Sequence, residues 1–184
     1  KNAYDRVWTH KVTHNMKRLG FKGRILKYIH SFLKDRTFNT QLGDIQSVIG
    51  YMDNGIPQGS VLSCVLFNIV FDDVLNDINT PTKFCTYADD VVLFLEGKDT
   101  KSTEANMQRI LNETNTQMNK NGLEISIEKT KMMHLTNQLK KNIKIPNLKI
   151  DNQNIECVDS YKFLGVIFNH KLKWTEQIDQ LQQN

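Results

Sequence analysis

Paired cysteines, long apolar runs and internal repeats are absent from this sequence of 184 residues. Its three cysteines, Cys64, Cys85 and Cys157, form no CxxC pair, which argues against a zinc site or a disulfide framework and predicts reduced thiols in the core. No apolar run approaches the roughly 20 residues that span a bilayer, and the charged start lacks the apolar stretch of a signal peptide. We therefore expect a soluble, intracellular protein that does not enter a membrane.

The apolar content of the sequence is sufficient for a core. Hydrophobic residues make up 39% of the chain, enough for one domain and the beginning of a second. The 24 lysines and arginines outnumber the 20 acidic residues, which gives a net charge of +4 and an isoelectric point near 8.9. This mild excess is consistent with contact to phosphate backbones, although many ordinary proteins share it.

Apolar periodicity predicts an α+β fold with a mostly antiparallel sheet. Spacings of three and four residues predict helices at 10–20, 25–33, 61–75 and 107–118. Alternation predicts hairpins at 36–48, around a Gly43-Asp44 turn, and at 84–95, around an Asp89-Asp90 turn. Further strands are expected at 123–127, 132–135, 148–150, 155–158 and 161–168. The phenylalanines of these strands are expected in the core, namely Phe84, Phe94, Phe163 and Phe168.

The pair Asp89-Asp90 is the most informative feature of the sequence. Adjacent carboxylates between two hydrophobic strands cannot be explained by core packing, and they repel each other unless a cation neutralises them. The alternative for an isolated pair is a solvated turn, because aspartate is a favoured turn residue. The surrounding motifs decide between the two interpretations.

Two motifs resemble signatures of reverse transcriptases. Tyr87-Ala88-Asp89-Asp90 is similar to the third signature of that family, an aromatic residue, any residue and two aspartates. About thirty residues upstream, the run NGIPQGSVLS from 54 to 63, followed by LFN at 66–68, resembles the second signature, a Gly-Pro-Gln-Gly loop that opens a helix.

The second signature has a physical rationale. A loop without side chains at Gly55 and Gly59 lets the backbone approach a base pair or a phosphate, and the start of the following helix favours anions. The resemblance implies that Gln58 lies near the incoming nucleotide and the template base, and that Pro57, Gly59 and Tyr87 also contact substrate.

The start of the chain resembles the tail of the family's first signature. The run AYDRVW from 3 to 8 implies that Tyr4 lies under the nucleotide's sugar, where its ring would exclude a 2′-hydroxyl. The metal-binding aspartate of this signature is then expected upstream of Lys1, and we expect the parent protein to continue there. Asp5 matches the second acid of the pattern, which is not the usual metal ligand, and is only a weak candidate.

Two later segments extend the resemblance. The run GLEISIEKTK from 122 to 131 is similar to the fourth motif and implies that Lys129 acts near the leaving pyrophosphate, although Ser126 replaces the asparagine often found there. The run YKFLGV from 161 to 166 resembles the fifth motif, a primer-grip hairpin before the thumb. The implied layout is a polymerase palm and part of the fingers over 1–168, with a sheet backed by helices, and the start of a thumb over 169–184.

The first motif favours reverse transcriptases of LINE-like, non-LTR retrotransposons. The implied reaction is RNA-directed DNA synthesis with two Mg²⁺, or Mn²⁺ in their place, held by Asp89 and Asp90. The implied partners are an RNA template, a DNA primer, deoxynucleoside triphosphates and an upstream part of the same polyprotein that could include an endonuclease. Nuclear action is expected of the parent protein, and the chain alone is expected to be inactive. Two alternatives stay open, a non-catalytic nucleic-acid-binding remnant of a decayed element and a maturase-type reverse transcriptase.

Overall fold

The computed structural model describes residues 3–76, 82–136 and 145–182. The chain divides into two compact units, the first made of residues 1–94 and 113–124 and the second of residues 95–112 and 125–184. None of the helices in the described ranges has the length and apolar character needed to cross a bilayer.

Helices and strands are both present, which confirms the predicted mixed fold. The helices in the described ranges are α1 (Ala3–Arg6), α2 (Thr9–Arg18), α3 (Arg24–Leu33), α4 (Val61–Asn76), α5 (Thr100–Lys120) and α6 (Thr175–Gln182). The strands of the first unit are β1 (Arg36–Phe38), β2 (Gln41–Leu42), β3 (Ile45–Gln46), β4 (Gly50–Met52), β5 (Lys83–Tyr87) and β6 (Asp90–Phe94). Those of the second are β7 (Lys131–Met132), β8 (Lys149–Ile150), β9 (Gln153–Asn154), β10 (Glu156–Cys157), β11 (Ser160–Phe163) and β12 (Val166–Asn169).

The described strands pair as two-stranded ladders. Five ladders are antiparallel, β1 with β4, β2 with β3, β5 with β6, β8 with β9 and β11 with β12. The sixth pairs β7 with β10 in parallel. Most of the pairings are antiparallel, as expected, but the described strands form six separate two-stranded ladders and not the one larger sheet that the sequence predicted.

Helix α4 contributes a large part of the core of the first unit. It is strongly apolar, and Phe67, Val70 and Val74 are no more than 1% exposed, whereas Val61 and Val65 are 86% and 53% exposed, so one face of the helix is open to solvent. Helix α2 packs on it through a buried face of Val12 and Met16, and two polar contacts fix the pairing. The amide of Asn15 donates to the carbonyl of Ile69 at 3.4 Å, and Arg18 forms an ion pair with Asp73.

The end of α5 is attached to the start of the chain within the first unit. Gly122 has a φ of +77°, and a Cβ there would lie 2.5 Å from the indole nitrogen of Trp8. Two residues further on, Glu124 forms an ion pair with Arg6 of α1. Only glycine suits position 122, because it combines a left-handed backbone with direct contact to an aromatic ring.

The second unit is organised around the first half of α5. Asp99 caps this helix: its carboxylate accepts the backbone N–H of Ser102 at 2.7 Å, and this hydrogen bond lowers the pKa of Asp99. Gln108 bonds both backbone groups of Lys149 in β8, at 2.7 and 2.8 Å. Gln177 of α6 accepts the N–H of Ile167 in β12 at 2.8 Å, which attaches the last helix to the β11–β12 hairpin.

Several local predictions were wrong. The expected strand at 123–127 is absent, because the hydroxyl and the N–H of Thr130 both bond to the carbonyl of Ser126 and close a turn. Four aromatic side chains expected in the core are not buried, with Phe84 45% and Phe94 50% exposed. All three cysteines are free, as predicted, but they are exposed and not in the core.

Candidate active site

Tyr4 lies between the second-motif helix and the acidic hairpin. Its ring stacks on Phe67 of α4, with centroids 4.8 Å apart and planes within 9°. Partial burial raises the pKa of Tyr4, and a hydrogen bond with Cys64 and the negative charge of Asp89 raise it further. The hydroxyl therefore stays protonated at neutral pH and is within electrostatic reach of Asp89.

The backbone of the Gly-Pro-Gln-Gly loop is hydrogen-bonded to α1 and to Val7, the residue that follows this helix. The N–H of Gly55 donates to the carbonyl of Val7 at 2.7 Å, and the N–H of Ile56 donates to the carbonyl of Tyr4 at 2.8 Å. Gly55 has a φ of +88°, and a Cβ there would lie 2.8 Å from the carbonyl oxygen of Asp5. This close approach explains why the position requires glycine.

Arg36 of β1 anchors the same loop from the other side. Its guanidinium donates to the carbonyls of Asn54 and Gly55, each at 2.7 Å. Partial burial lowers the pKa of Arg36, and the nearby charge of Asp5 opposes that shift. A cavity of about 430 Å³ opens beside the loop, lined by Asp5, Arg36, Thr37, Met52, Ile56, Pro57 and Gln58.

The polar side chain of the loop faces α1. The amide nitrogen of Gln58 donates to a carboxylate oxygen of Asp5 at 3.0 Å, and both residues are exposed. Pro57 is half-buried, whereas Gly59 is exposed, has a φ of +86° and would meet nothing within 4 Å if it carried a Cβ. The loop thus presents an amide, a ring and a bare backbone to solvent next to the cavity.

The acidic pair lies at the tip of the β5–β6 hairpin, one position away from where the sequence predicted the turn. Tyr87 pairs with Asp90, so the two turn residues are Ala88 and Asp89, and Asp90 begins β6. Ala88 has a φ of +52°, which the first central residue of a tight hairpin turn requires. Tyr87, Asp89 and Asp90 are all exposed.

The first unit thus joins three separate segments of sequence. Tyr4 from the chain start contacts Phe67 of the second motif and senses the charge of Asp89 in the third, while Asp5 holds Gln58. Among the described residues, no group of three or more histidine, cysteine, aspartate or glutamate side chains comes together as a metal cluster.

A family model described as reverse transcriptase (RNA-dependent DNA polymerase) matches residues 1–168. The chain belongs to the reverse transcriptase family. The RNA-directed DNA polymerase from mobile element jockey of Drosophila melanogaster is 27% identical over 191 residues, covering 100% of this chain and 20% of the relative. The Pol polyprotein from the type-1 retrotransposable element R2 of Popillia japonica is 25% identical over 185 residues, covering 92% and 30%.

These comparisons confirm the resemblance to LINE-like, non-LTR reverse transcriptases that the motifs predicted. The chain spans only a fifth to a third of the length of these relatives. The activity, substrates and partners of a complete protein are therefore proposals.

Lys129 belongs to the second unit of this reverse transcriptase chain. It is exposed in the turn before β7, and its carbonyl accepts the hydroxyl of Tyr161 at 3.3 Å. The fourth motif is thereby linked to the first strand of the fifth-motif hairpin. The predicted role of Lys129 near pyrophosphate stays a prediction.

The sequence pattern predicted no role for three residues of the candidate site. Arg36 bonds the loop, and Cys64 and Phe67 support Tyr4. The sequence did contain a signal for Cys64 and Phe67. Positions three apart on a helix share a face, so these two residues contact the same neighbour. Arg36 had no comparable signal, because its partners are backbone carbonyls, which every residue type carries.

Proposed function

We propose that this chain is the catalytic core of an RNA-directed DNA polymerase of a non-LTR retrotransposon. The reaction is attack of a primer 3′-hydroxyl on the α-phosphate of a deoxynucleoside triphosphate, directed by an RNA template. The observation that carries the proposal is the convergence of Tyr4, Gln58 and Asp89, one from each of three signatures, in one compact unit.

In this proposal the loop and the Tyr4 ring bind the nucleotide. The backbone at Gly59 leaves room for a base pair, and the Gln58 amide contacts the nucleotide or the template base. The flat face of Tyr4, braced from behind by Phe67, supports the sugar and leaves no space for a 2′-hydroxyl. Tyr87 adds a second aromatic contact at the hairpin.

Asp89 and Asp90 are the proposed metal ligands. Their exposed carboxylates are hard oxygen donors, which suit Mg²⁺ because this ion uses one or two carboxylates and completes its coordination with phosphates and water. Bound Mg²⁺, or Mn²⁺, would neutralise charge on the attacking and leaving oxygens. A third ligand is proposed in the upstream part of the first motif, and Lys129 is proposed near the pyrophosphate.

The wider layout is also part of the proposal. Residues 1–168 would form the palm and part of the fingers, and 169–184 would begin a thumb. The partners would be RNA template, DNA primer, deoxynucleotides and an upstream part of the polyprotein with an endonuclease, acting in the nucleus. The names of the relatives from jockey and R2 elements, RNA-directed DNA polymerase and Pol polyprotein, support the nucleic-acid substrates and the polyprotein in this layout.

The test is Mg²⁺-dependent deoxynucleotide incorporation on a primed RNA template, by a protein extended upstream to include the first-motif aspartate. We expect Asp89→Asn to lower the rate by about a thousand-fold, because preorganised charge stabilisation at the reacting phosphate is lost. Asp89 is exposed, so stability should not change. The 184-residue chain alone should incorporate little.

Asp44→Asn is the matched control. Asp44 is also an exposed aspartate in a two-residue hairpin turn, between β2 and β3, and its loss should leave incorporation intact. Equal activity of Asp89→Asn and the unsubstituted protein would contradict the proposal. A folded, template-binding protein that incorporates nothing would favour the decayed-remnant alternative.

A further inference from the structure

The positive charge of the chain is concentrated in residues 6–43. This stretch contains nine lysines and arginines and a single acidic residue, Asp35, so its net charge is +8. The rest of the chain contains fifteen basic and nineteen acidic residues, a net charge of −4. The modest overall value of +4 therefore combines one strongly basic segment with an acidic remainder.

Helix α2 places part of this charge on its solvent side. Its buried face consists of Val12, Asn15 and Met16, whereas His14 and Lys17 lie on the opposite face and are exposed. A shallow concavity of about 330 Å³ runs along this solvent side, lined by His10, Lys11, Thr13, His14 and Lys17.

Helix α3 repeats the arrangement. Ile29 and Leu33 are buried, and Arg24 and Lys27 lie on the opposite, exposed side. Tyr28, four positions after Arg24 and therefore next to it on the helix surface, is 56% exposed. An accessible aromatic ring thus lies among cationic side chains.

The cations of these two faces have no acidic partner in the part of the chain that the structure describes. Lys11, Lys17, Arg24 and Lys27, which we call the α2–α3 basic surface, form no ion pair with any residue in the described ranges. Arg18, from the same segment, is by contrast paired with Asp73. A cluster of unpaired like charges repels itself, so an external anion would stabilise it.

The α2–α3 basic surface lies away from Tyr4. Helix α4 meets Tyr4 through Phe67 and meets α2 through the carbonyl of Ile69 and the carboxylate of Asp73. On a helix, position 73 is rotated by more than a quarter turn from position 67, so the two contacts use different sides of α4. The basic face of α2 lies on the side of that helix away from α4, because its buried face is the one turned to α4, and α3 packs against α2.

We propose that the α2–α3 basic surface is a second nucleic-acid-binding site, which holds a phosphodiester backbone outside the polymerisation site. Lysine and arginine neutralise phosphates and release counterions, and the exposed ring of Tyr28 can stack on an unpaired base. The combination of cations with an accessible aromatic ring favours single-stranded RNA or DNA over duplex. Binding at this site requires neither metal nor nucleotide, so its test is independent of the proposed polymerase activity.

The experiment measures fluorescence anisotropy of a labelled single-stranded RNA titrated with the 184-residue chain, without Mg²⁺ or nucleotides, at several salt concentrations. For a variant with Lys11→Gln, Lys17→Gln and Lys27→Gln, we expect the slope of log affinity against log salt to become shallower by about 2, because each lysine contributes about 0.7. Parallel titrations with DNA of the same sequence, single-stranded and duplex, identify which backbone is preferred.

The matched control carries Lys98→Gln, Lys120→Gln and Lys149→Gln, which remove the same charge from exposed positions outside residues 6–43. Circular dichroism checks that both triple variants are folded. If the slope of log affinity against log salt becomes equally shallow in both, the proposal is overturned, because binding would then depend only on net charge.

Tyr28→Ala gives a second, independent measurement. It should weaken single-stranded RNA binding by about ten-fold, a typical loss of one stacked base, without changing the salt slope, since no charge is removed. Unchanged affinity in this variant would also count against the site. A primer–template present in excess should displace only part of the labelled RNA; complete displacement would mean that the surface belongs to the polymerisation site.

Discussion

The Gly-Pro-Gln-Gly loop and the acidic β5–β6 hairpin of this reverse transcriptase chain differ in the contacts that hold them in place. The Gly-Pro-Gln-Gly loop is fixed by backbone bonds to α1, by two bonds from Arg36 and by Ile56, which is 1% exposed. The acidic hairpin is held by its own ladder, and every residue of β5 is exposed. The Gly-Pro-Gln-Gly loop is therefore preorganised by its surroundings, whereas the position of the carboxylates depends on local turn geometry.

The loop and the hairpin thus illustrate two kinds of support for a candidate site, one from neighbouring elements and one from the segment's own hydrogen bonds. A loop that must approach a substrate with its backbone needs support from neighbouring elements, because it has no regular hydrogen-bonding pattern of its own. A two-residue hairpin satisfies its own backbone and projects its tip into solvent. Substitutions in the loop should consequently change stability far more than substitutions at the hairpin tip.

The largest effect is expected from Gly55→Ala. The left-handed backbone at φ +88° and the approach of a Cβ to the Asp5 carbonyl at 2.8 Å both oppose a side chain, and together they should lower the free energy of unfolding by about 3 kcal/mol. Gly59→Ala is the control, with nearly the same φ but open space, and should lose only about 1 kcal/mol. Urea denaturation measures both. Equal losses would mean that the loop is not fastened to α1 as described.

A smaller effect of opposite sign is expected at the hairpin from Ala88→Gly. Ala88 has a φ of +52°, which glycine adopts without strain, so the variant should gain about 0.5 kcal/mol after the greater freedom of glycine in the unfolded chain is deducted. Ala105→Gly, at an exposed position inside α5, is the control and should lose stability. A loss at Ala88 as large as that at Ala105 would contradict the turn described here.

The smallest effect concerns the link between the two segments. The pKa of Tyr4 is raised above 10.0, first by burial and in part by Asp89, so Asp89→Asn should move it back down without abolishing the shift. Because the folded pKa exceeds the unfolded one, the stability contributed by neutral Tyr4 is complete below pH 10 and is lost as pH rises above it.

Phenolate absorbance, with a Tyr4→Phe variant subtracted to isolate Tyr4, measures this titration. Asp90→Asn is the control, since Asp90 is not among the groups that shift Tyr4, and its midpoint should stay in place. An identical midpoint in Asp89→Asn and in the unsubstituted chain would show that the charge of Asp89 does not act on Tyr4.

The sequence predicted the long helices and the tight hairpins because their signals are local. Apolar periodicity located α4 at 61–75, where the structure has Val61–Asn76, and Gly43-Asp44 marked the turn between β2 and β3. The Asp89-Asp90 turn was predicted one residue too late, because alternation does not reveal that Ala88 takes a positive φ. The strands expected at 132–135 and 155–158 are present as the shorter β7 and β10. Periodicity did not indicate that these two strands pair with each other, because the partners are distant in the chain.

The candidate site was predictable only as a set of motifs. Tyr4, Gln58 and Asp89 were each identified by resemblance, but the residues that hold them in place were not. Arg36 bonds to backbone carbonyls, and Asp5 meets Gln58 across 53 positions of sequence. Such contacts arise from tertiary packing, so they have no signature in a single sequence.

The attachment of Gly122 and Glu124 to Trp8 and Arg6 sets an order of events during synthesis. The segment that carries Tyr4 leaves the ribosome first, yet the residues that cover Trp8 follow more than a hundred positions later. At about 5 to 20 residues per second, the nascent Tyr4 segment waits roughly 6 to 23 seconds for this partner. For about the last two thirds of that interval the whole basic segment, residues 6–43, is outside the tunnel and within reach of the messenger being translated.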